Sequence, residues 1–147
     1  SAASAAADLC LVEIPAWLPA WAWPLLARAD LRILVAGKDP LSRLRAFQQW
    51  KRVSAAGGGP TGLILAEAPG SGRARLAFRR FQVTAPAQAA GGLLFLGALP
   101  VEPALERIIL PERKPAQVYF PGSLTAAALA GLAAAIRRIL APEMVGS

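Results

Sequence analysis

The stretch Leu31-Arg32-Ile33-Leu34-Val35-Ala36, then Gly37-Lys38-Asp39-Pro40 and a helical pattern to Val53, then Gly57-Gly58-Gly59-Pro60 and Thr61-Gly62-Leu63-Ile64-Leu65-Ala66, decides the fold. Both outer runs are short and almost continuously apolar, as strands covered on two faces are. Between them, Asp39 is placed to cap a helix and Pro40 suits its first position. Leu41, Leu44 and Phe47 recur at helical spacing, while Arg43, Arg45, Lys51 and Arg52 point elsewhere. A strand, a helix and a second strand joined in this way predict a parallel crossover unit.

The same alternation extends in both directions. Leu9 to Ile14 and Leu93 to Leu99 read as two further strands, and Trp17 to Arg28 and Arg73 to about Gln82 as two further helices. A last helix is predicted from Leu124 to Leu140, with Ser123 as its N-cap, Arg137 and Arg138 near its negative end, and Pro142 beyond it. The expected fold is a single α/β domain of three layers over residues 1–147, doubly wound, with a mostly parallel sheet and helices on both faces. Residues 1–7 are expected to be a disordered lead-in without the basic start of a signal peptide.

Composition narrows the chemistry. The chain has 147 residues, 55% hydrophobic and 17% charged, which suits a folded domain rather than a disordered one. It has no histidine and one cysteine, Cys10, which removes Ser-His-Asp and Cys-His catalysis, Cys/His zinc sites and a disulfide framework. No metal or cofactor is expected. Cys10, between Leu9 and Leu11, reads as a small core residue in a reducing compartment. The longest apolar stretches, Ile14 to Ala27 and Leu124 to Ile136, fall short of the roughly 18 to 20 residues of a spanning helix. A cytoplasmic protein is expected, with peripheral membrane contact left open.

Sixteen Lys and Arg against nine Asp and Glu give a net charge of +7, and thirteen of the sixteen are arginine. Nucleic acid is therefore one partner to weigh, although the cations are spread along the chain and no nucleic-acid-binding signature accompanies them. Arg73, Arg75, Arg79 and Arg80, with Phe78 and Phe81, form the one concentrated basic segment, a candidate anion-binding face or simply a solvated one. Trp17, Trp21 and Trp23 crowd a proline-rich segment and are either a docking patch or the packing of a helix on the sheet. Trp50 reads as core edge. Glu102, Glu106 and Glu112 have no partner at a spacing that suggests acid-base work.

The glycine clusters raise the question of a phosphate loop. Gly57 and Gly62 have the Walker A gap, but Leu63 and Ile64 occupy the Lys and Ser/Thr positions, and the loop precedes a strand instead of opening a helix. Gly70-Ser71-Gly72 starts a dinucleotide fingerprint that Arg75 breaks at the third glycine. Both clusters read as turns.

The order of these pieces resembles the second half of the MinD/ParA-type P-loop ATPases, nearest the flagellar-placement ATPases and their relatives. Ala7 to Ala16 looks like the family's Walker B strand followed by x-Pro-Ala-Gly, with Glu13 at the aspartate and Trp17 at the glycine. Ala29-Asp30 and the run to Val35 are similar to the strand that follows. Leu96-Gly97-Ala98-Leu99-Pro100-Val101-Glu102-Pro103, then Arg113-Lys114-Pro115, then Phe120-Pro121-Gly122-Ser123 and an Ala-rich helix, match the family's C-terminal order. The resemblance runs from about Ala7 to Leu140.

That resemblance implies a degenerate nucleotide site at Glu13, Ala66, Pro100 and Glu102. Ala66 stands where the family has an adenine-reading asparagine, and an alanine has no amide. The family's lysine-bearing Walker A loop precedes its Walker B strand and has no counterpart in these residues. The expected function is a pseudo-ATPase, a non-catalytic MinD/ParA-like interaction domain in a positioning or secretion/polysaccharide-type assembly. Trp17, Trp21 and Trp23 would bind its partner, with a homodimer or a heteromer with an active ATPase implied. Two alternatives remain: the C-terminal half of an active ATPase whose P-loop lies outside this chain, and a basic nucleic-acid-binding module.

Overall fold

The computed structural model describes residues 9–37, 39–66, 76, 92–100 and 122–141. The basic segment Arg73 to Arg80 and Glu102 lie outside these residues, apart from Leu76, which is exposed. The elements in chain order are α1 (Ala22–Arg28), β1 (Arg32–Ala36), α2 (Pro40–Ala55), β2 (Thr61–Ala66), β3 (Leu93–Leu99) and α3 (Leu124–Leu140). The three strands form an all-parallel sheet in the order β1-β2-β3, a small α/β fold.

β2 is the central strand, and residues 61 to 65 are all buried. Its side chains alternate between two clusters. Leu63 and Leu65 join Ala36, Leu93 and the α2 residues Ala46 and Trp50. Ile64 joins Leu96 and the α3 residue Leu132, with Ile33, Leu129 and Ile136 packed around them. Successive strand residues point to opposite faces, so α2 and α3 contact the sheet from opposite sides. α3 lies mainly over β3, and α2 over β1.

The helix caps are as the sequence predicts. The Asp39 carboxylate accepts from the Ser42 amide at 2.8 Å, and the Ser123 hydroxyl accepts from the Ala126 amide at 3.0 Å. The buried face of α2 is another matter. Ala46, Trp50 and Val53 are buried at i, i+4 and i+7, whereas Leu41 and Leu44 are exposed, and of the predicted apolar face only Phe47 packs on the core.

A bulge in β3 shapes the α3 side. Pairing with β2 shifts between Leu63 and Ile64, so that Phe95 faces Leu63, Gly97 faces Ile64, and Leu96 is the extra residue. The shift changes the phase of the strand. Phe95 and Ala98, three residues apart, consequently pack on the same α2 side. Leu96 lies over Gly62, where an added Cβ would meet its Cδ1 and Cγ atoms.

Three expectations are corrected in the N-terminal part. Leu9 to Ile14 is not a strand: residues 9–15 have no regular secondary structure, and Leu9, Leu11 and Val12 are exposed. A strand needs a neighbour to satisfy its backbone, and this run has none in the sheet. Cys10 is exposed rather than a core residue. The helix expected from Trp17 begins only at Ala22, because Pro19 disfavours helical geometry at the residue before it, and Leu18 has φ 52.

Candidate functional site

The turn ahead of α1 is fastened at several points. The Leu18 amide donates to the Pro15 carbonyl at 3.0 Å and the Ala22 amide to the Pro19 carbonyl at 2.9 Å. The Gln49 side-chain amide, on α2, donates to the carbonyl of Ala16. Ile14, Leu18 and Trp23 pack on a small cluster of Ala22, Leu26 and Val53. A left-handed leucine costs roughly 1 to 2 kcal/mol. Burial of its side chain in this cluster offsets that cost.

The three tryptophans of this segment divide into two kinds. Trp23 is half-buried, and the Arg52 guanidinium sits 5.4 Å from its ring centroid, a cation–π geometry that ties α1 to α2. Trp17 and Trp21 are 70% and 54% exposed. Trp21 already has helical backbone angles, so Leu25, one turn on and also exposed, shares its face. Leu25 was not among the residues the sequence singled out, although its i+4 spacing from Trp21 is the signal that would have found it. Trp50 is buried in the core, 5% exposed, and its ring packs 6.0 Å from that of Phe47.

Of the residues that resemble nucleotide-site positions, Glu102 lies outside the described residues, and the other three fall at two places. Ala66 ends β2, pairs with Leu99 of β3 and is half-buried, and Pro100 follows directly, so these two lie at the carboxyl end of the sheet. Open parallel sheets bind ligands at that end. Glu13 is exposed and adjoins Ile14, which packs on the cluster of Ala22, Leu26 and Val53, the last at the C-terminal end of α2. That end lies beside the amino end of β1, where Arg32 reaches the Val53 carbonyl.

At the carboxyl end of β1 the backbone is occupied by its own turn. The Gly37 amide donates to the Ser42 hydroxyl at 2.7 Å, and that of Ser42 to Asp39. Ala66 and Pro100 add no charge and no side-chain hydrogen-bonding group there. Among the described residues no group of His, Cys, Asp or Glu is arranged to hold a metal ion. No described helix is long and apolar enough to cross a membrane.

The glycine loop is structural, and it is packed rather than free. Arg32 is only 6% exposed, and its guanidinium donates to the carbonyls of Val53 at 2.7 Å, Gly57 and Gly59. Burial lowers its pKa below the usual arginine value. The Gly59 amide donates to Ala29 at 2.9 Å. A Cβ at Gly58, which has φ 93, would stand 2.8 Å from the Leu26 carbonyl oxygen, and one at Gly59 would run into the Asp30 carbonyl. Gly58 and Gly59 therefore lie close against the last turn of α1 and the connection after it, and the carbonyls of Gly57 and Gly59 face a cation; a phosphate cradle instead turns amides toward an anion.

No protein-family profile matches the chain, and no curated protein is significantly similar to it.

Proposed function

We propose that this chain is a non-catalytic, MinD/ParA-like interaction domain that works by docking a protein partner in a positioning or secretion/polysaccharide-type assembly. The observation that carries the reading is the exposure of Trp17 and Trp21 on a turn that Gln49, Leu18 and Ile14 hold in place. A fixed turn presents aromatic area at little entropic cost, which is how aromatic anchors gain binding energy. The parallel sheet with helices against both faces fits a doubly wound, three-layer arrangement of the kind this reading requires.

The kinds of side chain at the resembling positions support a non-catalytic role. Ala66 offers no amide to adenine, and the one glycine loop described is committed to Arg32. Partner capture by immobilised protein, compared between the parent and the W17A/W21A variant, tests the reading. Loss of capture with an unchanged circular dichroism spectrum is expected. Equal capture by both would overturn it.

A further inference from the structure

β1 is open along one side. It pairs with β2 only, and among the described residues no strand lies along its other edge. Edge strands are normally blunted by a charge, a proline or a bulge. β1 has none of these available: its one cation, Arg32, is turned into the molecule onto the Val53, Gly57 and Gly59 carbonyls. Val35, on the α3 side, is 61% exposed, because α3 lies over β3 and leaves this corner of the sheet bare. With Arg32 turned inward, the remaining edge, Ile33 to Ala36, carries only apolar side chains and is a template for a further strand.

The same chain carries a matching segment that pairs with no strand among the described residues. Leu9-Cys10-Leu11-Val12 is uncharged, rich in strand-forming residues and exposed, with Leu11 at 79%. It is rooted at Ile14, which packs on the Ala22, Leu26 and Val53 cluster, and at Ala16, whose carbonyl accepts from Gln49. Residues 9 to 13 are thus presented from a fixed root and are not folded down on their own body. Two bodies of net charge +7 repel through their polar surfaces, so an uncharged seam is where they can meet.

We propose that two copies of this chain exchange these segments, residues 9–13 of each adding as a fourth strand to the free edge of β1 in the other. The exchange is isologous and closes at a dimer, satisfying both open edges at once. It is independent of the docking role given to Trp17 and Trp21.

Sedimentation across a concentration series tests it, with the parent compared with V35K, L11K and W17A/W21A. A concentration-dependent dimer is expected for the parent and for W17A/W21A. V35K and L11K place a charge at exposed positions and should each weaken dimerisation at least tenfold with unchanged circular dichroism. Exposed Cys10 supplies a second readout: with V35C, a bismaleimide should join two chains through residues 10 and 35, and neither the parent nor C10S/V35C should give that product. A strictly monomeric parent, a dimer indifferent to both lysines, or a cross-link confined to single chains would each overturn the proposal. Loss of the dimer in W17A/W21A alone would assign self-association to the tryptophan turn and overturn it as well.

Discussion

The guanidinium of Arg32, at the first position of β1, donates to the carbonyl oxygen of Val53 in the last turn of α2 at 2.7 Å. That carbonyl also accepts from the Ala56 amide at 3.1 Å, and the Arg32 amide itself donates to Pro60 at 3.0 Å. One residue therefore closes a helix, shapes the glycine loop and sets the start of the strand that the loop approaches. A cation at the negative end of a helix is favourably placed, but among the described residues no carboxylate pairs with it. Its hydrogen bonds to carbonyls are what offset its burial.

R32M should destabilise the protein by about 2 to 4 kcal/mol, because it keeps the aliphatic stem and leaves buried carbonyls unpaired. R32K retains the charge without the fork that reaches several carbonyls, and should fall between the parent and R32M. Urea unfolding of the three proteins measures the order. Equal stability would show that these carbonyls are satisfied by water.

The glycine loop should respond position by position. G59A and G58A both drive a Cβ into backbone, and each should cost more than about 2 kcal/mol. Gly57, at φ 76 with nothing within 4 Å, should cost only about 1 kcal/mol on change to alanine. A uniform small loss across all three would contradict the packed loop.

These effects mark where sequence reading succeeds and where it stops. The ends of β2, β3 and α3 were legible, because apolar runs bounded by Gly, Pro or a cap leave little choice of register. The inward turn of Arg32 was not, since an arginine inside an apolar run looks the same whether it faces water or the carbonyls of a loop 25 residues away. Leu9 to Ile14 has the pattern of a strand, but pattern alone does not supply the neighbour a strand needs. The exposed face of Leu41 and Leu44 was hidden for a related reason: Ala46 and Trp50 meet the sheet, and no local spacing rule ranks a small alanine above a leucine.

At the candidate site, the sequence grouped Trp17, Trp21 and Trp23, and the structure separates them. W17A and W21A should each change stability by less than about 0.5 kcal/mol, as surface substitutions do. W50A should cost about 3 to 5 kcal/mol, the range for a buried aromatic. Thermal or urea unfolding of the single variants checks the division, and marked destabilisation by W17A or W21A would place those rings in the core.

The claim that this domain works by docking and not by nucleotide chemistry is tested most directly by calorimetric titration of the chain with ATP and magnesium. Tight binding needs a lysine-bearing loop for the triphosphate and hydroxyl and carboxylate ligands for the metal. The described loop of Gly57 to Gly59 turns its carbonyls to Arg32 instead. No saturable heat is predicted. Binding at micromolar affinity would contradict the account.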